Sequence, residues 1–248
     1  MNPLLSRPME VYVIGRPSFD TNEMSRFLSN ESAQWLPTTT SDAENLVEIA
    51  GRVCYMSYGK GRKTNREFLE NIMMSGHGSV LEHASWTLLI TGVSRSLTHE
   101  LVRHRHLSYS QLSQRYVDET DVSYVIPAPI IETGFDTWIR LITAAKTAYT
   151  ILEGALKRNN KENGTNEIKA ARQAARSVLP NATETKIVVS GNARAWRHFI
   201  ETRGSVYAEP EIRALAIKIL AALEGDAPVI FGDYDASSGC VVGKYRKV

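Results

Sequence analysis

A polar stretch near the middle of the chain carries side chains that bind anions and heterocycles. Residues 103–116 read RHRHLSYSQLSQRY and combine guanidinium, imidazole, hydroxyl and carboxamide groups. Guanidinium groups make paired hydrogen bonds to phosphate, and the other groups suit carbonyl oxygens and ring nitrogens. Composition alone leaves two interpretations open, namely a ligand-binding loop and a solvated loop at a charged helix end.

Other catalytic patterns are incomplete in this chain. No glycine-rich dinucleotide fingerprint follows a predicted strand, and the segment 239–244 (GCVVGK) lacks the spacing of a phosphate-binding loop. His99 and Glu100 begin like a zinc-protease motif, but Arg103 stands where the second histidine is required. The histidines show no ligand spacing, so we predict no metal site.

Composition, net charge and cysteine content indicate what kind of protein this is. The 248 residues are 43% hydrophobic and 23% charged, which is typical of one globular domain over residues 1–248. A net charge of +2 argues against nucleic acid as a partner, and no apolar run is long enough to span a membrane. The sparse cysteines, Cys54 and Cys240, predict a cytoplasmic location. We expect Cys54 to be a small core residue on an apolar helix face.

Periodic apolar residues and capping patterns predict the elements that position these side chains. We expect a loose arm over 1–9 and a tail over 233–248, with residues 107–116 irregular. Helices dominate and strands are scattered, which predicts an α+β fold with helices around a small mixed or antiparallel sheet. Strands are predicted at 10–15, 84–93 and 185–189, and helices at 41–54, 64–76, 94–104, 138–156 (ending near 159–164), 167–178, 192–200 and 211–223.

The predicted helix after Asn192 has two distinct sides. Its apolar positions are Ala195, Trp196, Phe199 and Ile200, which share one side at helical spacing. Arg194 and His198 are four positions apart and therefore lie together on the opposite side. This arrangement predicts that both side chains face a ligand, the alternative being that they face water.

The order of residues within 103–116 resembles the signature of the flavin-dependent thymidylate synthases. Three further blocks are similar to this family, and together they extend the resemblance over residues 42–225. The matching signature positions are Arg103, His104, Arg105, Ser108, Ser113, Arg115 and Tyr116. The further blocks are residues 76–83 (GHGSVLEH), 172–180 (RQAARSVLP) and 192–203 (NARAWRHFIETR).

The resemblance implies an α+β homotetramer in which FAD and nucleotide lie between subunits. It implies a methyltransferase that converts deoxyuridylate (dUMP) to thymidylate (dTMP). The one-carbon donor would be 5,10-methylenetetrahydrofolate, and FAD reduced by NADPH would supply the hydride.

The resemblance also implies roles for individual residues. Arg203 would be the catalytic residue, a cation that stabilises loss of the uracil N3 proton. Cofactor-binding residues would be His77, Ser79, Arg103, His104, Arg105, Gln111, Asn192, Ala193, Arg194 and His198. Substrate-binding residues would be Glu100, Leu101, Val102, Arg103, Gln111, Leu112, Ser113, Gln114, Arg115, Arg176 and Arg203, with Arg115 and Arg176 on the phosphate.

Three positions depart from the common family pattern, and none of the changes removes a group that the chemistry needs. Ser110 and Gln111 stand where many members have Asn-Glu, and Gln173 stands where many have Glu.

Neither cysteine falls in a site motif, and Ser113 lacks an adjacent base, so no protein nucleophile is expected. Three rival functions remain: another flavoprotein of this fold, a nucleic-acid-binding module, and a structural assembly protein.

Overall fold

The computed structural model of the chain describes residues 4–159 and 164–245. The predicted end of the long helix at 159–164 lies partly outside these residues. The α-helices are α1 Thr21–Asn30, α2 Asp42–Tyr55, α3 Asn65–Met74, α4 Arg95–Leu101, α5 Ala128–Glu132, α6 Phe135–Asn159, α7 Thr165–Ala175, α8 Ala193–Arg203, α9 Pro210–Asp226 and α10 Pro228–Phe231. The strands are β1 Glu10–Gly15, β2 Ser85–Ser94, β3 Ser108–Gln111, β4 Glu184–Asn192, β5 Tyr234–Asp235 and β6 Val242–Gly243. Two 3-10 helices cover Gly78–His83 and Arg176–Val178.

The described part of the chain mixes helices with one small main sheet, as the sequence predicts. Its strand order is β1-β2-β4-β3, and β5 and β6 form a separate antiparallel pair. Strand β3 lies inside the segment 107–116, so the expectation that this whole segment is irregular was wrong. Leu112 extends the ordered part, because its amide donates to the carbonyl of Lys186 at 2.9 Å.

The described residues divide into two compact units, and the single domain over residues 1–248 stays a prediction. Within the described residues, unit 1 comprises 4–10, 90–103 and 110–188, and unit 2 comprises 11–89, 104–109 and 189–245. Each strand of the main sheet contributes residues to both units.

The N-terminal residues of unit 1 are held by the backbone rather than loose. The amide of Tyr124 donates to the carbonyl of Leu4 at 2.9 Å, and the amide of Ser6 donates to the carbonyl of Tyr124 at 2.9 Å. Gly92 permits the close passage of this arm, since a Cβ there would lie 2.5 Å from the carbonyl oxygen of Pro8. The expected loose arm over 1–9 is therefore paired at residues 4–6.

Helix α2 of unit 2 buries a polar face, which corrects the predicted apolar one. Glu48 and Arg52 are buried at 2% exposure, and Arg52 Nε donates to Glu48 Oε1 at 2.7 Å. Asn65 Nδ2 donates to the other carboxylate oxygen at 2.8 Å. Cys54 is exposed rather than a core residue, because α2 turns its charged side inward.

The C-terminal segment of unit 2 is tied to α8, although the sequence predicts a tail over 233–248. Arg197 is fully buried and donates to both carboxylate oxygens of Asp233, at 2.5 and 3.0 Å. Its second terminal nitrogen also donates to the carbonyl of Tyr245 at 3.2 Å. The part of this segment up to residue 245 therefore stabilises the helix that carries several predicted site residues.

Among the described helices, none combines the length and the apolar character needed to cross a membrane.

Candidate active site

Helix α8 presents its side chains as the sequence predicts. The Asn192 side chain caps the helix by accepting from the amide of Ala195 at 2.9 Å. Trp196, Phe199 and Ile200 are fully buried. Arg194 and His198 are exposed on the other side. Ala193 is buried, and its amide donates to the carbonyl of Ala84 at 2.8 Å.

A cavity of about 350 Å³ brings together three of the predicted cofactor residues in unit 2. His77, Ser79 and Arg194 all line it. Arg194 passes closely over Gly78, where a Cβ would lie 3.0 Å from its Nε, and its Nη1 donates to Glu82 Oε1 at 2.6 Å. Two sequence blocks more than a hundred residues apart thus meet on one wall.

The lining of this cavity also includes residues that the sequence motifs do not identify. Cys54 and Tyr55 line it from the C-terminal end of α2. No motif marks either residue, and the apolar pattern placed Cys54 in the core. The donors on the wall suit the carbonyl oxygens and phosphates of a flavin nucleotide, and Tyr55 adds an aromatic surface.

His104 lies against Arg203, the predicted catalytic residue. Arg203 Nε donates to His104 Nε2 at 2.9 Å. The imidazole ring packs edge-on against Phe199 with ring centroids 5.1 Å apart. The carbonyl of His104 accepts from the Tyr109 hydroxyl at 2.8 Å. Burial raises the pKa of Tyr109 to about 12, so this phenol remains a donor at neutral pH.

In unit 1 the side chain of Gln111 is fixed by two hydroxyl groups. Its amide nitrogen donates to Thr98 Oγ1 at 3.1 Å and to Thr185 Oγ1 at 3.3 Å. The carbonyl of Ser113 then closes a turn with the amides of Tyr116 and Val117. The signature therefore leaves strand β3 as a tight turn with defined geometry.

Two buried donors of this turn, Gln114 Nε2 and Arg115 Nε, have no hydrogen-bond partner among the described residues. Arg95 Nη1 and the Tyr124 hydroxyl, also in unit 1, are likewise buried without a partner there. Burial and, to a smaller extent, the neighbouring Arg176 lower the pKa of Arg95, whereas Glu119 opposes this shift. Unpaired buried donors are costly, and a phosphate anion is the kind of acceptor that would satisfy them.

Arg95 was not among the residues predicted from sequence. The signal that could have identified it is its position at the strand-to-helix boundary, where Ser94 caps α4. Glu119, also missed, is 3% exposed and lies near Arg95. Burial raises the pKa of Glu119 to about 7.

Arg172 fixes the chain that follows the signature. Its guanidinium donates to the carbonyl of Tyr116 at 2.5 Å, to Asp118 at 2.9 Å and to Glu153 at 3.2 Å. The family-like block at 172–180 thus supports the turn that holds Arg115.

The full set of predicted site residues is divided between the two units. Arg103 and Arg105 are both exposed. Unit 1 contains Glu100, Leu101, Val102, Arg103, Gln111, Leu112, Ser113, Gln114, Arg115 and Arg176. Unit 2 contains His77, Ser79, His104, Arg105, Asn192, Ala193, Arg194, His198 and Arg203.

Comparison with known proteins defines the class to which this fold and site belong. Residues 36–229 match the family model described as thymidylate synthase complementing protein. A flavin-dependent thymidylate synthase of Mycolicibacterium gilvum is 47% identical over 240 residues, covering 93% of this chain and 92% of the relative. Proteins of the same name from Mycobacteroides abscessus and Mycobacterium marinum are 50% and 49% identical, each covering 86% of this chain and 87% and 88% of the relative.

The chain therefore belongs to the flavin-dependent thymidylate synthase family. This membership agrees with the resemblance carried by the signature at residues 103–116.

Proposed function

We propose that this chain is a flavin-dependent thymidylate synthase that converts dUMP to dTMP. The observation that carries the proposal is the convergence of distant sequence blocks in unit 2. His77, Ser79 and Arg194 share one cavity, and His104 of the signature contacts Arg203 at the end of α8. Family membership supplies the reaction that this convergence serves.

FAD is the proposed cofactor, and the cavity lined by Arg194 fits part of it. The cavity of about 350 Å³ is near the lower end of ligand pockets, so it suits one portion of a dinucleotide. His77, Ser79 and Arg194 would hold that portion with hydrogen bonds and positive charge. A site that holds only part of FAD agrees with the proposed homotetramer, in which subunits share each site.

The nucleotide phosphate is proposed to bind at the donors of unit 1. Arg115 and Arg176 were predicted for this role, and Arg95 adds a third guanidinium. The partnerless Gln114 Nε2 and Arg115 Nε atoms support the assignment, because an anion would satisfy both. Guanidinium groups suit a phosphate dianion better than ammonium groups do.

The chemistry comes from bound groups, and the protein supplies binding and electrostatics. When bound, reduced flavin supplies the hydride and 5,10-methylenetetrahydrofolate the one-carbon unit, with NADPH as reductant. Arg203 is proposed to place its positive charge beside the uracil ring. There it would favour the ring anion that forms when N3 loses its proton, which makes C5 more nucleophilic.

Flavin reduction tests the proposal first. Protein loaded with FAD and desalted would be mixed with NADPH without oxygen, with and without dUMP. We expect bleaching of the flavin to accelerate with dUMP, and dTMP to appear when the folate is added. Retained flavin without any effect of dUMP would instead support another flavoprotein of this fold. No retained flavin would contradict the proposal and favour an assembly protein.

An Arg203→Ala variant tests the catalytic assignment. Loss of one electrostatic donor typically costs about 10²–10³-fold in kcat. We expect a loss of this size with FAD retention unchanged. Arg66→Ala is the matched control, since Arg66 is an exposed arginine on α3 paired only with Glu70 among the described residues. Normal turnover of Arg203→Ala would refute the role.

A further inference from the structure

We propose that His104 is a positioning residue for Arg203, through which the signature controls the orientation of the catalytic guanidinium. The proposal rests on the function proposed above and gives His104 a role beyond flavin contact. In this proposal, one hydrogen bond connects the cofactor-binding signature to the residue that favours loss of the uracil N3 proton.

The geometry of the contact supports this role. Arg203 Nε donates to His104 Nε2 at 2.9 Å, which is an ordinary length for a strong hydrogen bond. The two residues are 99 positions apart. No local turn or helix therefore forces the contact, which forms only because the fold brings both side chains together.

The imidazole is held firmly enough to orient a partner. His104 is only 9% exposed, and its ring packs against Phe199 and lies 5.7 Å from the ring of His198. Its backbone carbonyl accepts from both the Tyr109 hydroxyl, at 2.8 Å, and the Leu107 amide, at 3.0 Å. Both the ring and the backbone of His104 are thus fixed within unit 2.

The chemistry of the two groups determines the protonation of His104. A guanidinium has donors only, so the Nε2 atom of His104 must present its lone pair. The imidazole is therefore neutral, with its proton on Nδ1. Because the bond is made at Nε of Arg203, it fixes the plane of the guanidinium and not only its distance. A fixed plane matters because the cation must meet the uracil ring in one orientation.

The carboxylate two positions before Arg203 on the same helix is engaged elsewhere. Glu201 accepts from the Tyr234 hydroxyl at 3.0 Å. Burial raises the pKa of Glu201, and Tyr234, Arg197 and His198 oppose that shift while Asp233 adds to it. The Nε atom of Arg203 is instead directed to the imidazole of His104.

A double-mutant cycle in the FAD-loaded enzyme tests the proposal. The variants are His104→Leu, Arg203→Ala and the double variant, with dTMP formation as the assay. If His104 acts through Arg203, His104→Leu lowers kcat about 10- to 100-fold, and the double variant is no slower than Arg203→Ala alone. If the two losses multiply, His104 acts independently and the proposal is overturned.

A conservative variant separates positioning from packing. His104→Gln places a carbonyl oxygen near the position of Nε2 and should restore most of the kcat lost in His104→Leu. A Gln variant as slow as the Leu variant, with flavin retained, overturns the proposal. His104→Phe keeps a ring against Phe199 without the acceptor, so it should be as slow as His104→Leu. Because His104 is also an expected flavin contact, the Leu and Phe variants are assayed at saturating FAD, and a kcat equal to that of wild type under this condition overturns the proposal.

His106 provides the matched control, since it is an exposed histidine two positions away in the same segment. His106→Leu should change kcat by less than about twofold, and its effect should multiply with that of Arg203→Ala. The outcomes also separate this proposal from the proposed function. Wild-type protein without dUMP-dependent activity rejects the function. An active wild type, an Arg203→Ala variant that is slower by the expected factor, and losses that multiply in the double variant reject only the positioning role.

Discussion

Replacement of Asp233 by alanine should strongly destabilise the helix that carries Arg194, His198 and Arg203. The side chains of Arg197 and Asp233 are 0% and 6% exposed, and both carboxylate oxygens accept hydrogen bonds from the guanidinium. Burial is the largest single influence and lowers the pKa of Arg197, but the hydrogen bonds to Asp233 and the electrostatic effects of Tyr234, Asp233 and Glu201 together outweigh it and raise this pKa. Asp233→Ala would leave that cation buried without its counter-ion.

The expected magnitude follows from the desolvation of the remaining charge. Loss of one partner of a buried ion pair costs about 3–5 kcal/mol. The carbonyls of Ile230 and Tyr245 still accept from Arg197, which places the expected cost near the lower value, about 3 kcal/mol. This is a large share of a total stability of about 5–15 kcal/mol.

Urea unfolding measures this cost directly. With a slope of about 1–3 kcal/mol per M, the midpoint should fall by about 1–3 M. Asp235→Ala is the matched control in the same hairpin. Asp235 is exposed, and its side chain accepts from the nearby amide of Ser237, so its loss should cost less than about 1 kcal/mol.

The double variant Arg197→Met/Asp233→Leu separates the ion pair from simple packing. Because it removes both charges, it should be more stable than Asp233→Ala. An Asp233→Ala protein within about 1 kcal/mol of wild type would refute the reasoning. So would a double variant that is less stable than the single one.

Two further predictions concern a close contact and a buried carboxyl group. Gly191→Ala should lower the stability measured by thermal unfolding by about 1–3 kcal/mol, because the added Cβ would overlap Leu107 Cδ2. Gly225→Ala is the control: the space around Gly225 is open, so this change should be neutral or stabilising. Glu119 has a pKa raised from 4.5 to about 7 by burial, so the folded state favours its protonated form and wild-type stability falls as pH rises through this window. Relative to Glu119→Gln, wild type should lose about 3 kcal/mol between pH 4 and pH 8 in urea unfolding; a constant difference would contradict the shift.

Local spacing was sufficient to predict many of the elements. The Thr64–Glu67 capping box forms in full, and the Asn192 cap begins α8. Strand β1 has the predicted bounds at residues 10–15. Each of these features depends on residues within a few positions of one another, where short-range geometry determines the contact. The family signature is equally local, which is why the amino-acid sequence is sufficient to indicate the family.

The apolar pattern predicted the wrong buried face where charged side chains bind partners that are distant in sequence. In α2 the sequence favoured an apolar face that includes Cys54, but the fold buries Glu48 and Arg52 because Asn65 and the loop after α2 satisfy them. Periodicity assigns charged residues to solvent by default, since an unpaired buried charge is costly. The periodicity of apolar residues carries no information about a hydrogen-bonding partner from another part of the chain.

Sequence patterns establish most of the helices, their caps and the set of chemically competent residues. Which of these residues meet depends on the three-dimensional fold. Arg197 is buried on the apolar side of α8, where Asp233, 36 positions away in sequence, pairs with its positive charge. His104 and Arg203 belong to separate motifs and touch only after folding. Such contacts depend on the path of the whole chain, because the spacing between distant residues carries no information about their separation in space.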